Sequence, residues 1–237
     1  MPTPIRRALC TLGLGVAVVA FGAAPGIAAS RGGDAQIARA ATFVPGDFPA
    51  GFAATAAAAS TSADNIRMAK GVAGCAPYIA VQKSTAALPQ AQSQKFADDS
   101  RTVSNEVDLF KSERDARDAL ALYAKPSVVG CLKKLFEKQV RADPGQKGKL
   151  AGVAVTLARQ DIAGLGDDRV VYEGTVVLTA TDGSTQQLGI GNATVRIGRA
   201  IDAVTYTTSG ANLTEILTPA IDASVARLRN ALAGASS

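Results

Sequence analysis

The sequence predicts an α+β fold, an antiparallel β-meander sheet with helices packed on one face and one disulfide. Three observations carry that prediction. Residues 149–209 alternate apolar and polar side chains with period two between tight-turn dipeptides. Apolar stripes at three- and four-residue spacing precede and follow that stretch. Of three cysteines, Cys10 lies in an export segment, so Cys75 and Cys131 remain as an even pair.

The alternation is clearest around Val170, Tyr172, Val176, Leu178 and Ala180, which share one face, while Val171, Glu173, Thr175, Val177 and Thr179 share the other. Asp182-Gly183 then supplies the positive φ angles of a two-residue type I′ turn, and residues 186–197 resume the pattern. Gly198-Arg199 reads as a second two-residue turn before a last strand over 200–208 with Val204 and Tyr206 on one face. Upstream, Val153, Val155 and Leu157 form the inward face of the first strand, and residues 164–168 join it to the second. Connections this short force antiparallel neighbours.

The N-terminus reads as a targeting segment over residues 1–29. Arg6 and Arg7 are followed by an apolar run over 8–20 and by small residues up to Ala28 and Ala29, after either of which cleavage is expected. An uncleaved anchor is the rival reading; Pro25 and the Ala- and Gly-rich composition oppose it. Export places Cys75 and Cys131 in an oxidising compartment, so they are expected to bond. The formal net charge is +5, of which Arg6 and Arg7 supply two, leaving about +3 after cleavage, too little to argue for nucleic acid. The basic residues near Lys133, Lys134 and Lys138 are interspersed with Glu137 and apolar positions, the composition of a solvated helix face.

Residues 30–42 hold Gly, Arg and Ala without a sustained pattern and read as a flexible linker, so the single α+β domain is taken as 43–235. Phe43, Phe48 and Phe52 with Pro45 and Pro49 describe an extended segment that docks its rings on the domain. Helical spacing over 64–78 puts Ile66, Met68, Ala69, Val72 and Cys75 on one face, with Pro77 expected to end or kink that helix and Cys75 in its last turn. Residues 84–101 read as a connection. Residues 102–110 then form a strand, with Val103, Val107 and Leu109 on one face and Glu106 and Asp108 on the other. Ser112 with Asp115 opens a helix carrying Ala116, Ala119, Leu120 and Tyr123. Pro126 opens another, whose buried stripe runs from Val128 to Val140 past Cys131.

The terminal helix repeats Leu213, Ile216, Leu217, Ile221, Val225, Leu228 and Leu232 at helical spacing and is expected to cover the apolar face of the meander. Asn212 with Glu215 resembles a capping box. Pro219 leaves two alternatives, a single turn followed by a helix capped at Thr218, or a kinked helix.

This order of elements, with the Asp47-Phe48-Pro49-Ala50-Gly51-Phe52 run, Cys75, Cys131-Leu132 and Ile197-Gly198-Arg199, resembles the PknH-like extracellular sensor domains and related secreted actinobacterial proteins. The resemblance is one of layout. It implies an antiparallel sheet with helices on one face and a cleft for an unidentified ligand. The chain departs from it in lacking a kinase domain and in having one cysteine pair where two are expected.

The chain has no histidine, which excludes imidazole-based triads and removes the commonest metal ligand; no cofactor is expected. Asp98-Asp99 and Asp167-Asp168 flank turns, where aspartate serves the backbone, so no catalytic residue is assigned. Gly189-Ile190-Gly191 lies inside a strand without a following helix and reads as close packing. The expected function is a secreted ligand-binding or sensor-like module taking an unknown small-molecule or envelope ligand, with Tyr172, Tyr206 and Arg196 as candidate contacts. No nucleic acid is expected, and a membrane only through an uncleaved anchor. The alternatives are a carboxylate- or Ser-Lys-dependent extracellular hydrolase and an envelope-associated structural protein. N-terminal sequencing of the exported protein is expected to begin at Ala29 or Ser30; a product that begins at Met1 excludes cleavage.

Overall fold

The computed structural model describes residues 32–55, 62–143, 146, 148–209 and 214–235. The signal segment expected over residues 1–29, the Asn212–Glu215 capping pair and the Leu213 and Ile216 positions lie outside the described side chains. In chain order the elements are α1 (Gly32–Ala41), a 3-10 turn (Pro45–Asp47), β1 (Ala53–Thr55), α2 (Ser62–Ala69), α3 (Ala76–Thr85), β2 (Gln90–Gln92), β3 (Lys95–Ala97) and β4 (Arg101–Leu109). There follow α4 (Glu113–Tyr123), α5 (Pro126–Ala142), β5 (Leu150–Gln160), β6 (Asp168–Ala180), β7 (Thr185–Ile197), β8 (Ala200–Thr208) and α6 (Thr214–Gly234).

The strands form one antiparallel sheet in the order β1-β3-β4-β8-β7-β6-β5, with β2 pairing β4 beside β3. Strands β5 to β8 are the expected meander. Ile197 pairs with Ala200 across a two-residue turn in which Gly198 has φ +54°. The turn at Asp182-Gly183 is one residue wider than expected, because the Ala180 N–H donates to the Ser184 carbonyl at 2.8 Å. The Asp182 carboxylate accepts the Ser184 N–H at 2.9 Å and its hydroxyl at 2.6 Å, and this local side-chain turn competes successfully with a two-residue closure.

Helices cover both faces of the sheet. On one face α2 to α5 bury Tyr78, Val81, Leu120, Tyr123, Leu132 and Phe136 against Val170, Tyr172, Val176, Leu178, Leu188 and Ile190. On the other, α1 and α6 bury Ile37, Ala38, Leu217, Ile221, Val225 and Leu228 against Val103, Val107, Ala193, Val195, Ile197 and Val204. The expected packing on one face is thus corrected to packing on two. The reason is β7, apolar on one face at Leu188 and Ile190 and on the other at Ala193, Val195 and Ile197, so neither face tolerates water.

The flexible linker expected over 30–42 is also corrected: Gly32–Ala41 is a helix with Ala38 and Ala41 fully buried. Its apolar stripe is short and made mostly of alanine, so it becomes significant only against a partner. Asp34 forms a bidentate ion pair with Arg199 at 3.1 and 2.6 Å. Arg227 of α6 donates to the Ala40 and Thr42 carbonyls, each at 3.1 Å, and to both Asp47 oxygens at 2.8 Å. The globular part therefore begins before residue 43. Phe48 then stacks on Phe52 at 5.2 Å and packs against Phe96 at 4.9 Å, docking the aromatic segment as its composition implies.

The single helix expected over 64–78 is two. Gly71 and Gly74, with φ of +80° and +89°, break it, and Pro77 sits in the first turn of α3, where its missing N–H is harmless. Cys75 consequently caps α3 instead of ending a helix. A Cβ on Gly74 would stand 3.1 Å from the Ser127 carbonyl oxygen, so glycine lets α3 start against α5. That approach brings Cys75 and Cys131 to a Cα separation of 4.9 Å, and they are bonded. Residues 84–101 hold two three-residue strands, too short for a pattern to show. Ser112 accepts the Asp115 N–H at 3.1 Å as an N-cap, Pro126 opens α5, and α6 runs through Pro219.

The disulfide closes a loop with a sequence separation of 56, which on the loop-entropy model restricts the unfolded chain by about 4 kcal/mol. The Cys75→Ser/Cys131→Ser variant is expected to lose about that much in urea unfolding; an unchanged midpoint would show that the α3–α5 packing alone holds the pair.

Candidate functional site

Cross-strand register places polar residues in the middle of the face covered by α2 to α5. Glu106 of β4 stands opposite Ala203 of β8, which stands opposite Thr194 of β7. Asp108 is opposite Ile201, and Ile201 is opposite Arg196. On the other edge of β4, Gln92 faces Glu106 and Gln90 faces Asp108. Glu106 and Asp108 are two positions apart on one strand, so both side chains leave the sheet on the same side, with Cα atoms roughly 7 Å apart.

Both carboxyls are deeply buried, at 3% and 0% exposure, and among the described residues no hydrogen-bond donor meets any of their four oxygens. Burial raises the Glu106 pKa well above the usual carboxylate range, and the charge of Asp108 raises it further. Asp108 is raised in the same way, first by burial and then by the charge of Asp202. A buried acceptor without a donor costs on the order of 1–3 kcal/mol, and an ionised one more. Among the described residues the strip holds four of the buried side-chain polar atoms that lack a partner; Gln82 Nε2 and Arg169 Nε are others.

Two phenols of the covering helices are buried in the same layer. The buried Tyr78 phenol is pushed above its ordinary range by burial and by the Glu106 charge. Tyr123, also buried, is raised by burial and by Tyr78, and its hydroxyl donates to Asn192 Oδ1 at 3.0 Å. Asn192 Oδ1 also accepts the Thr194 hydroxyl at 3.0 Å. In the same helical layer Asn65 Nδ2 donates to Gln82 Oε1 at 3.0 Å, while the buried Gln82 Nε2 has no partner.

The opposite face treats a buried acid differently. Asp202 accepts from Asn105 Nδ2 at 2.9 Å and stands 2.5 Å from Ser224 Oγ, itself 2.8 Å from the Ala41 carbonyl oxygen. The Phe43 N–H donates to Asn105 Oδ1 at 2.8 Å, so the network ties the end of α1 to β4, β8 and α6. One Ser224 proton cannot serve both oxygens. Below its pKa Asp202 carries a proton it can donate to Ser224, freeing that hydroxyl for Ala41; above it the hydroxyl serves the carboxylate. Burial lifts the Asp202 pKa to about 6, against the downward pull of Ser224, Asn105 and Arg227.

The three candidate contacts are dispersed and internally engaged. Tyr172 and Arg196 lie on the α2–α5 face, Tyr206 on the other. Tyr172 is fully buried and donates to the Tyr123 carbonyl at 2.8 Å. Arg196, 6% exposed, donates to Asp168 at 3.0 and 2.7 Å and to the Gly198 carbonyl at 2.9 Å, clamping the β5–β6 loop to the β7–β8 turn. Tyr206 donates to Glu173 and lies over Gly191, where a Cβ would collide with its ring; this explains the glycine inside β7. Asp98 accepts the Ser100 and Arg101 N–H groups at 2.9 and 2.7 Å, and Asp167 accepts the Gly198 N–H at 2.7 Å, the turn roles read from sequence. Among the described residues no group of three or more His, Cys, Asp or Glu is placed to hold a metal ion. The sequence reading did place Glu106 and Asp108 on the face of β4 opposite its apolar residues. It lacked the α2–α5 layer that buries them.

No protein-family model matches the chain, and no curated protein matches it. Among solved structures it is similar to the extracellular domain of PknH from Mycobacterium tuberculosis, at 10% identity and a TM-score of 0.38, covering 66% of this chain and 75% of that one. The likeness is one of fold only.

An unfolded Asp202 loses its proton near 3.8 and the folded one near 6, so folding binds extra protons between those values and stability falls as pH rises through that window. Asp202→Asn imitates the neutral acid. Its stability relative to the parent is expected to rise by about 3 kcal/mol from pH 3.5 to pH 7 in urea titrations. A difference that stays flat over that range would mean that Asp202 is not raised.

Proposed function

We propose that this chain is a secreted, extracytoplasmic ligand-binding or sensor-like module without catalytic activity of its own. The observation that carries the reading is the strip between sheet and helices where Glu106 and Asp108 are buried with their oxygens unpartnered. A fold that satisfies Asp202 and Arg196 in full, yet leaves two neighbouring carboxyls and the Gln82 amide nitrogen open, has polar capacity for a molecule that brings the missing partners. The Cys75–Cys131 bond fits an oxidising compartment outside the cytoplasm. No helix among the described residues is long and apolar enough to cross a membrane.

A second reading draws on the same pair. Two carboxyls on one strand face, with raised pKa values, are also the raw material of a carboxylate-dependent hydrolase. Such an enzyme must bring water and substrate to both groups, and at 3% and 0% exposure neither meets solvent. The same burial faces a bound guest, so the two readings are separated by turnover and not by exposure.

The test is a native mass spectrum of the protein expressed from Ser30, recorded before and after denaturation. An additional mass that leaves on denaturation is the expected result. A bare native mass, together with turnover of a chromogenic glycoside or ester panel that Glu106→Gln abolishes, would replace the module with the hydrolase.

A further inference from the structure

The first helix is held to the sheet through a hydrogen-bond network with one contested proton. α1 has ten residues, begins Gly32-Gly33 and buries little besides Ile37, Ala38 and Ala41, so it is too short to persist as a helix away from the protein. Its last carbonyl, that of Ala41, lies 3.2 Å from Asn105 Nδ2 of β4 and 2.8 Å from Ser224 Oγ of α6. The same two groups serve the Asp202 carboxyl, Asn105 Nδ2 at 2.9 Å and Ser224 Oγ at 2.5 Å. The Asn105 amide has two protons, one for Ala41 and one for Asp202, whereas the Ser224 hydroxyl has a single proton and two claimants. Asp202 decides between them. A protonated carboxyl donates to Ser224 Oγ and leaves the hydroxyl proton for Ala41; a carboxylate takes that proton itself.

The cross-strand neighbours of Asp202 are apolar, Val107 of β4 and Val195 of β7. Two charged groups act on or through it: Arg227 of α6 favours its carboxylate, and Asp108, on the other face of β4, is opposed by its charge. α1 brings its backbone to the network at Ala41, while its charged side chains are elsewhere, Asp34 on Arg199 and Arg39 exposed. Asp202, Asn105 and Ser224 are buried, so a carboxylate formed there stays dry unless part of the cover lifts. Of the network's members only Ala41 and Phe43 lie outside the sheet and α6, so lifting α1 admits water while the sheet stays intact. We propose that α1 is a pH-gated strap: loss of the Asp202 proton takes the Ser224 hydroxyl from the Ala41 carbonyl and loosens α1 from β4 and α6 without unfolding the sheet.

The direction follows from proton binding. Docked, Asp202 titrates near 6; wetted by the opening it returns toward 3.8, so opening releases a proton and becomes easier as pH rises between those values, levelling off above them. From pH 5 to pH 7.5 the opening constant is expected to grow about tenfold. Hydrogen exchange of the protein expressed from Ser30, corrected for the intrinsic pH dependence, reads this at the amides of residues 36–41, with those of β7 and β8 reporting global unfolding. Protection in α1 is expected to lie below that of β7 and β8, to be insensitive to low urea, and to fall about tenfold over the pH range. Asp202→Asn, which keeps the shape and cannot ionise, should abolish the fall; Asp222→Asn, on the exposed side of α6, should keep it. Ser224→Ala should lower α1 protection several-fold at pH 5, where the hydroxyl serves Ala41. Three results overturn the proposal: α1 amides that exchange together with β7 and β8 and share their urea dependence, a fall that is absent in the parent or persists in Asp202→Asn, and α1 protection at pH 5 that Ser224→Ala leaves unchanged.

Discussion

Burial of the central strands on both faces is the constraint on which the rest of the structure depends. Strands β4, β8 and β7 lie in the middle of the sheet, and most of their side chains are buried. Helices must then cover two sides. The α2–α5 layer supplies one cover and the α1–α6 pair the other. Every buried polar side chain on these strands has to find its partners inside the protein, because water is excluded from both faces.

The two faces meet that demand differently. On the α1–α6 face, Asp202 is met by Asn105 and Ser224, and the same groups reach the backbone of Ala41 and Phe43, so satisfying a buried acid also docks the first helix. Arg227 and Arg199 extend the arrangement to Asp47 and Asp34. On the other face Asn192, Thr194, Tyr123 and Tyr172 form a closed set of hydrogen bonds, while Glu106 and Asp108, one strand away across Ala203 and Ile201, are left out of it. The contrast within one sheet makes the acid pair stand apart from ordinary structural polarity. The disulfide acts on the same layer, since it pins α3, which carries Tyr78 and Gln82, to α5.

Local chemistry made much of this visible in advance. Period two gave away β4 to β8, Gly198 marked a two-residue turn, Ser112 and Pro126 marked helix starts, and Cys75 and Cys131, expected to pair, are bonded. Each of these is decided by a residue and its near neighbours. Where several local options competed, the sequence reading went astray: Pro77 suits a helix end and a helix start alike, and only Gly71 and Gly74 in left-handed geometry settle which. Asp182 similarly preferred its own side-chain turn to the tighter closure.

The sequence by itself determined the α+β class, the meander and the cysteine pair, because side-chain alternation, turn propensity and cysteine number are properties of short stretches. Only the tertiary structure decided that residues 32–41 are a docked helix, that both sheet faces are covered, and that Tyr172, Tyr206 and Arg196 face inward while Glu106 and Asp108 lie buried and unpartnered. The physical reason is that alternation tells which side chains share a face of a strand, whereas burial depends on what packs over that face. For β4 the cover comes from helices on both sides of it in the sequence, and no pattern within the strand itself records them.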